Sequence, residues 1–398
     1  IEVKIYQQKL QASQADLDAA GARFLPDLEI GVGYLRHDGR LQETRGEVFD
    51  VSRSSLGAGP LVRLHADPAE AFFERLAARE AATAAAHGEA RVRAETMVNA
   101  GLLYLGLLEG RALLEVARET VAHSREHAEL TERAVELQAE LRVNLARAQA
   151  ALARDEQQLL AAQTNLRRAS VDLAVLLRLS PTVFLLPTEE TIQPMTLVDP
   201  ETPLASLVDR ALGSRPDLRE VEALSRAADE HLSAEELSPW FPEIDLFVVY
   251  GRYGGGRGSD FQDFGDRLDA GATLSWTLEG LGLGVGARRR RARAEAREAA
   301  LEVEGLRERV VGQVIRSWEQ VRSLRARIGA ADSEVRAAST ALELVRDRLA
   351  SGDAIQLEIL EAIQEVAASR AALVNAIVEY GKAQHVLYYQ VHGAAWER

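Results

Sequence analysis

The fold is decided by the stretch RLASGDAIQLEILEA, which runs from Arg348 to Ala362. A proline-free, helix-like run precedes it from about residue 287, and another follows it to about residue 390. Ser351-Gly352-Asp353 is the strong stop signal between them, because glycine adopts the left-handed conformation that ends helices. The sequence therefore predicts a hairpin of two long helices. Three carboxylates lie at or just beyond its tip: Asp353, Glu358 and Glu361.

The composition narrows the class of protein. Charged residues make up 27% of the chain and aromatic residues 5%, which is typical of long helices and coiled coils. A net charge of −14 argues against nucleic acid as the main partner. Without cysteine, disulfides and thiolate metal sites are excluded. No run of eighteen uninterrupted apolar residues occurs, so we expect no transmembrane helix. The chain begins within a helical pattern and without Met, so we expect a mature or trimmed chain.

An internal repeat organises the rest of the sequence. LPDLEIGVGY at residues 25–34 aligns without gaps to FPEIDLFVVY at residues 241–250, an offset of 216 residues from Pro26 to Pro242. The same offset carries Leu141 onto Leu357, within the hairpin tip. Each half therefore predicts a helix, two strands joined by a loop, a long helix, a tip and a returning helix.

Apolar and polar residues alternate, as is typical of strands, in four segments at about residues 25–34, 55–65, 243–253 and 267–278. Loops are expected at His37-Asp-Gly-Arg40 and in the glycine-rich stretch that begins GRYGGGRG at Gly251. One interpretation is a soluble four-stranded sheet packed on a helix. The other is a set of transmembrane strands, apolar on one face, with aromatic residues near the strand ends. The aromatic residues are Tyr34, Tyr250, Tyr253, Trp240 and Trp276.

Membrane strands would require several chains. Four strands cannot close a barrel, and open sheet edges are not tolerated in lipid. A barrel shared by three chains would contain twelve strands. In that case one face of the last strand should meet lipid, through Leu268, Ala270, Ala272, Leu274, Trp276 and Leu278, with Tyr34 and Tyr250 on the same surface.

Two motifs resemble those of the TolC-like outer-membrane efflux proteins. Arg215-Pro-Asp-Leu218 resembles that family's RPDL motif, and the tip resembles its R-[YF]-x-x-G-x-x-x-x-x-D-V-x-x-A pattern. In the tip, Arg348, Gly352 and Ala362 match, with Glu358 in place of Asp and Ile359 in place of Val. The resemblance covers nearly the whole chain, through both halves.

The resemblance implies an α+β membrane protein. Long α-helical hairpins form a trimeric periplasmic tunnel, and four β-strands per chain contribute to a shared twelve-stranded barrel in the outer membrane. It implies a homotrimer that works with a periplasmic adaptor (membrane fusion) protein and an inner-membrane RND or ABC transporter. Outer-membrane lipid would surround the barrel, and no cofactor, metal or nucleic acid is expected.

The resemblance also divides the chain into segments of the tunnel, the barrel and an equatorial region. Residues 1–24 and 67–179 form the first-repeat helical tunnel, and 214–240 with 287–390 form the second. Residues 25–66 and 241–286 supply the two strand pairs of the barrel. Residues 180–213, which are rich in proline, form an equatorial connector, and 391–398 form a C-terminal equatorial end. The first-half equivalent of the RPDL motif would fall at about positions −1 to 2, so we expect that the chain was cut there.

The resemblance also assigns roles to the tips. Asp353, Glu358, Glu361 and Arg142 are the candidate gate and selectivity residues of the tunnel. Gly352, Leu349, Ala354, Leu137 and Leu141 are the candidate contacts with the adaptor. The first tip departs from the pattern, because about Glu136 replaces the family glycine and Arg142 replaces its aspartate. We expect this tip to turn differently or to continue nearly as helix.

Three other patterns have alternative interpretations. His123 and His127 have the spacing of a helical metal pair, but with Glu126 and Glu129 close by we favour a solvated helix face. GRYGGGRG lacks the GK[ST] of a phosphate loop and precedes a strand. The arginines at 288–291 with Arg293 and Arg297 belong either to a solvated helix start neutralised by Glu295 and Glu298 or to a surface that meets anionic lipid.

No catalytic constellation is present, so an enzyme is not expected. The sequence predicts an outer-membrane channel that passively conducts substrates from a tripartite efflux or type I secretion system. The alternative is a soluble coiled-coil scaffold protein with small structural sheets.

Overall fold

The computed structural model describes residues 1–180, 182–189, 191–258, 262–277, 279–351 and 355–394. The described part holds seven α-helices: α1 (Glu2–Ala22), α2 (Pro68–Glu136), α3 (Arg142–Leu176), α4 (Leu204–Ser214), α5 (Pro216–Leu237), α6 (Leu283–Ala350) and α7 (Gln356–His392). It also holds four strands: β1 (Asp27–Gln42), β2 (Val48–Ala66), β3 (Glu243–Arg257) and β4 (Gln262–Ser275). A short 3₁₀ turn lies at Ser238–Trp240, and a turn at Glu279–Gly282 contains Gly280 and Leu281 with φ of 56°.

The chain divides into two compact units. One consists of Ile1–Glu89 and Leu218–Gly305 and contains the sheet. The other consists of Ala90–Asp217 and Leu306–Arg398 and contains both hairpin tips and the connector. The element order helix, strand pair, long helix, tip and returning helix occurs twice, and β1 and β3 begin at Asp27 and Glu243, the offset of the repeat. The predicted repeat is therefore present in the fold.

The sheet is an antiparallel meander in the order β1-β2-β3-β4. All four strands are longer than the sequence patterns predicted. The polar loop expected at His37–Arg40 is wrong, because these residues continue β1 and pair with Asp50–Arg53 of β2. The loop expected at residues 251–266 is wrong at both ends, because residues 251–257 continue β3 and residues 262–266 begin β4. These extensions carry polar and glycine residues at positions on both faces, so they lack the apolar alternation by which strands are predicted.

Glycines in β3 and β4 allow aromatic rings to lie against the sheet. A Cβ atom on Gly271 would lie 2.4 Å from the ring of Phe247, and one on Gly254 would lie 2.6 Å from the ring of Phe264. A side chain at either position would displace the ring. These glycines serve close packing rather than chain reversal.

The second unit is held by hairpin cores. Leu107 and Leu114 of α2 pack with Leu166 and Leu173 of α3. One 18-residue window of α2 reaches a mean hydropathy of 1.2, although the sequence analysis predicted no membrane-spanning helix. This criterion rests on length and composition alone, and only 22% of the window is buried in the single chain.

The connector is fixed by one buried amide. Gln384 of α7 accepts hydrogen bonds from the backbone N–H groups of Leu197 and Val198 at 3.0 and 2.8 Å, and it donates to Val198 O at 3.1 Å. Its Nε2 also lies 3.0 Å from the hydroxyl of Tyr380. Because this amide is fully satisfied, the irregular backbone is held without a strand partner.

Candidate functional site

The second tip is described up to Ser351 and again from Ile355. Three of the predicted site residues, Gly352, Asp353 and Ala354, lie outside the described residues. Glu358, in the first turn of α7, accepts a hydrogen bond from Arg348 of α6 at 2.9 Å. Glu361 is exposed and makes no ion pair among the described residues. The structure therefore places one carboxylate in an ion pair across the hairpin and leaves the other in solvent.

Below these carboxylates the second hairpin is closed by an apolar cluster. Ile359, Ala362, Ile363 and Val366 of α7 are buried with Ala338 and Leu342 of α6. Leu349 packs against the same cluster and is half-buried. Part of its surface is therefore used within the hairpin.

The first tip turns at Gln138. This residue has φ of 59°, and the backbone N–H of Ala139 donates to Ala134 O at 2.8 Å. That bond is the one that closes a Schellman helix end, where glycine is the usual residue. The expectation that the helix nearly continues through this tip is wrong. Leu137 and Leu141 flank the turn and are 79% and 66% exposed.

Arg142 begins α3 at this tip. Its side chain is exposed and makes no ion pair among the described residues of the protomer. Glu358, one of its predicted partners, is taken by Arg348. Any pairing of Arg142 with Glu361 or Asp353 therefore remains a prediction.

A contact that sequence reasoning missed joins the two tips. Gln356, at the first position of α7, donates from Nε2 to Glu140 Oε2 at 3.0 Å. Glu140 also accepts from the Leu141 backbone N–H at 2.7 Å and from Asn144 at 2.8 Å. These donors, the backbone N–H first, lower the pKa of Glu140. We call Glu140 and Gln356 the tip clasp.

The tip clasp joins equivalent positions of the repeat, since its two residues are 216 apart. The contact therefore brings equivalent positions of the two tips together. The repeat offset was the signal in the sequence that could have revealed it.

Buried polar groups lie behind the first tip. Asp155 of α3 is 1% exposed and accepts hydrogen bonds from Ser124 of α2 at 2.5 Å and from Gln364 of α7 at 2.8 Å. His123 lies 3.0 Å from Arg346, and His127 is buried. Burial lowers the pKa of both imidazoles. A guanidinium beside one member and burial of the other make this pair a poor cation site.

The RPDL residues hold a junction of helices. Arg215 binds Asp217 through two hydrogen bonds of 2.9 and 2.6 Å and donates to Gln313 of α6 at 2.7 Å. Gly393 ends α7 with φ of 64°, and a Cβ atom there would lie 2.6 Å from Pro216. The motif therefore fixes where α4, α5, α6 and α7 meet.

The sheet separates an apolar face from a polar one. Cross-strand rows such as Leu28–Val62–Val248–Ala270 place apolar side chains side by side on one face. Ile30 is 79% exposed and Leu268 is 67% exposed. The predicted lipid-facing residues Tyr34, Tyr250, Leu268, Leu274 and Trp276 are all exposed, whereas Leu278 lies outside the described residues.

The opposite face carries Asp269, Thr273 and Ser275 of β4 and also Tyr253. The ring of Tyr253 lies 4.6 Å from the guanidinium of Arg267 and does not share a face with Tyr250. Its assignment to the membrane-interface aromatics is wrong, because it is an odd number of residues from Tyr250 along the strand.

The arginine stretch at the start of α6 is largely paired. Arg288 lies 3.1 Å from Glu235, Arg291 lies 2.8 Å from Glu295, and Arg293 lies 2.6 Å from Glu236. Arg289 donates to the backbone oxygens of residues 235 and 236. These contacts favour the solvated helix start over a lipid-binding surface.

Comparison with known proteins agrees with this architecture. A family model described as Outer membrane efflux protein matches residues 2–177 and 207–389. No match to a curated protein sequence was found.

Solved structures share the fold at low sequence identity. The outer-membrane channel OprN is 20% identical, with a TM-score of 0.84, over 99% of this chain and 87% of that chain. VceC, an outer membrane protein of Vibrio cholerae, is 19% identical, with a TM-score of 0.82, over 99% and 93%. MtrE, an outer membrane channel of Neisseria gonorrhoeae seen in its open state, is 17% identical, with a TM-score of 0.76, over 98% and 86%.

Proposed function

Because the chain belongs to the outer membrane efflux protein family, whose members are channels and not enzymes, we propose that it forms the exit duct of a tripartite efflux system as a homotrimer. It lies in the outer membrane and extends into the periplasm. Channels of this family are trimeric in general and work with adaptors and inner-membrane pumps. The family assignment excludes the soluble scaffold alternative.

One observation is the main support for the proposed trimer. Among the described residues the sheet has four strands in a row, with β1 and β4 as unpaired edges, and its apolar face is exposed in the single chain. Such edges are not tolerated in lipid. Pairing β4 of one protomer with β1 of the next would remove all edges, and three copies would supply twelve strands.

Native mass measurement in mild detergent tests the trimer. We expect a species of three chains whose β-structure survives and which dissociates on heating. A stable monomer that retains its β-structure would contradict the proposal.

We assign the segments of the protomer accordingly. Residues 25–66 and 241–286 supply the barrel, and residues 1–24, 67–179, 214–240 and 287–390 supply the tunnel. Residues 180–213 and 391–398 form the equatorial belt. The polar face of the sheet supports this assignment because it suits a water-filled interior.

The adaptor contact is proposed at the tips. Leu137 and Leu141 are exposed apolar side chains at a hairpin end, and exposed apolar groups in clusters mark contact surfaces. Replacing both with Ser should abolish efflux in cells while leaving trimer formation unchanged. Val175, an exposed apolar residue on α3 at the opposite end of the hairpin, offers a matched control when it is replaced with Ser.

The gate is proposed at the second tip. Asp353, Glu358 and Glu361 are each repeated three times in a trimer, and rings of carboxylates favour cations. The exposure of Glu361 supports a role at the tunnel entrance. RND and ABC transporters are both compatible pumps, since the residues at the tips do not distinguish them.

A further inference from the structure

Three basic residues form one row across the sheet near its hairpin end. His37 of β1 is directly opposite Arg53 of β2, and Arg53 is directly opposite Arg257 of β3. Directly opposite residues have Cβ atoms about 4.5–5.5 Å apart and point to the same face. We call these three residues the basic row.

The basic row belongs to the polar face. On β2, Arg53 is separated from Val62 by an odd number of positions, so it lies opposite the apolar face. On β1, His37 is three residues beyond Tyr34, toward the turn at residues 43–47. In the proposed barrel the row therefore faces the interior at its outer end.

The arginines of the row lack the partners that arginines on the other face have. Arg36, Arg40 and Arg252 lie on the apolar-face side, and each has an aspartate within 4 Å: Asp38, Asp50 and Asp266. Arg53 and Arg257 are exposed and make no ion pair among the described residues. The Nε2 atom of His37 is shielded from solvent and has no hydrogen-bond partner among the residues that the structure describes.

Like charges placed directly opposite each other destabilise a sheet. An anion bound between them removes this repulsion, and the planar guanidinium matches phosphate oxygens bidentately. The row extends over three strands, about 10 Å, which suits an anion with several charged groups.

We propose that the basic row is a binding site for a multivalent, phosphate-type anion at the outer end of the barrel interior, with one site per protomer. This inference rests on the proposed trimeric channel. An anion in transit or free in the medium reaches the site, whereas a lipid headgroup does not, because the row faces away from the apolar surface.

The test uses trimers in detergent whose mass has been verified, titrated with inorganic tripolyphosphate by calorimetry at low salt. We expect saturable binding of up to three anions per trimer. The double variant R53S/R257S should bind at least tenfold more weakly. The matched double variant R40S/R252S removes the same charge from the other face and should bind like the parent.

A trimeric parent that does not bind tripolyphosphate would overturn the inference and leave the channel proposal intact. Equal loss in both double variants would also overturn it, since the effect would then be one of net charge. Asp260 lies outside the described residues, so the variant D260N is included. Binding that is gained only in D260N would show that Asp260 is the counter-ion, and would overturn the proposal. Vesicles with phosphate-bearing lipid should not compete with tripolyphosphate, and competition would place the site on the lipid side.

Discussion

At the scale of single residues, Gln138 holds an unfavourable backbone conformation at the first tip. Its φ of 59° lies in the left-handed region, and its side chain is exposed. Glycine adopts this conformation without a steric penalty. Gln138→Gly should therefore stabilise the protomer by about 0.4–1 kcal/mol, after the greater chain entropy of unfolded glycine is included. Denaturant unfolding of the trimer measures the change.

The neighbouring residue provides the control. Ala139 is also exposed but has ordinary backbone angles. Ala139→Gly should therefore lower stability, because only the entropic cost remains. If both glycine variants shift stability in the same direction, the left-handed turn at Gln138 is not the cause.

The tip clasp predicts a dependence on pH. Hydrogen bonds to the carboxylate hold the pKa of Glu140 below its usual range. Their contribution is therefore complete above the unfolded pKa of glutamate and is lost as the pH falls through the lowered value. Acidification through that range should loosen the tips from each other.

Spin labels measure this loosening. The chain has no cysteine, so cysteines introduced at Ala139 and Ser351 can be labelled selectively, in trimers diluted with unlabelled chain. The distance distribution should be narrow near neutral pH and broad in acid. In Glu140→Gln it should be broad at both, and a distribution that narrows with acid would contradict the clasp.

Residue-level features were the hardest to predict from sequence. The missing glycine correctly indicated an unusual first tip, but a Schellman bond at Gln138 depends on packing of the whole hairpin. The pair between Arg348 and Glu358 spans a turn whose geometry the sequence does not define. Long-range side-chain contacts of this kind follow from the fold and not from local pattern.

At the scale of elements, each strand of the proposed barrel presents alternate side chains to lipid and to water, and the register between strands sets their depth. Tyr250 pairs with Leu268 near one end of the apolar band, and Trp276 lies at the other end. Leu246, opposite Ala272, is midway between them. Leu246→Lys should therefore lower the folding stability of the barrel in lipid by about 2–4 kcal/mol. Leu274→Lys should lower it less, because Leu274 is nearer the inner interface.

Folding into lipid vesicles, followed by the heat-dependent shift on gels, measures these costs. Thr273→Lys is the control, because Thr273 lies on the opposite face of the same strand. We expect it to be tolerated. Equal costs at Leu246 and Thr273 would mean that the two faces meet the same solvent.

Element existence was predictable, whereas element length was not. Alternation of apolar and polar residues revealed four strands. In the proposed barrel this alternation ends where the strands leave the lipid. There Asp38 and Gly39 continue β1 with polar or small residues at positions on both faces. Backbone hydrogen bonding with β2 extends the strand, and the local sequence has no pattern that predicts this pairing. Helix ends were predicted more closely, because proline and glycine punctuate them.

At the scale of the whole molecule, the protomer is incomplete without its copies. In the part of the chain that the structure describes, the sheet has two free edges and an exposed apolar face, so the stability of the folded barrel depends on assembly and on lipid. In the proposed trimer the basic row and the tip carboxylates would each be present three times.

The last prediction concerns the closed state of the entrance. Within a protomer Glu358 is paired with Arg348, and Arg142 makes no ion pair among the described residues. If Arg142 holds the entrance shut, its partner is a carboxylate such as Glu361 or Asp353 of a neighbouring copy. Each exposed pair contributes only about 0–1 kcal/mol, but three copies must open together.

Arg142→Glu should therefore raise single-channel conductance in planar bilayers, because repulsion replaces attraction at the constriction. The charge-swapped double variant R142E/E361R should return conductance toward that of the parent. Glu358→Ala and Glu361→Ala should each weaken cation selectivity, measured as the reversal potential in a salt gradient. Arg147, an exposed arginine on α3 farther from the tip, gives the control variant R147E. If R142E and R147E conduct alike, the gate does not depend on Arg142, and if both alanine variants keep the parent's selectivity, these carboxylates are a solvated helix face.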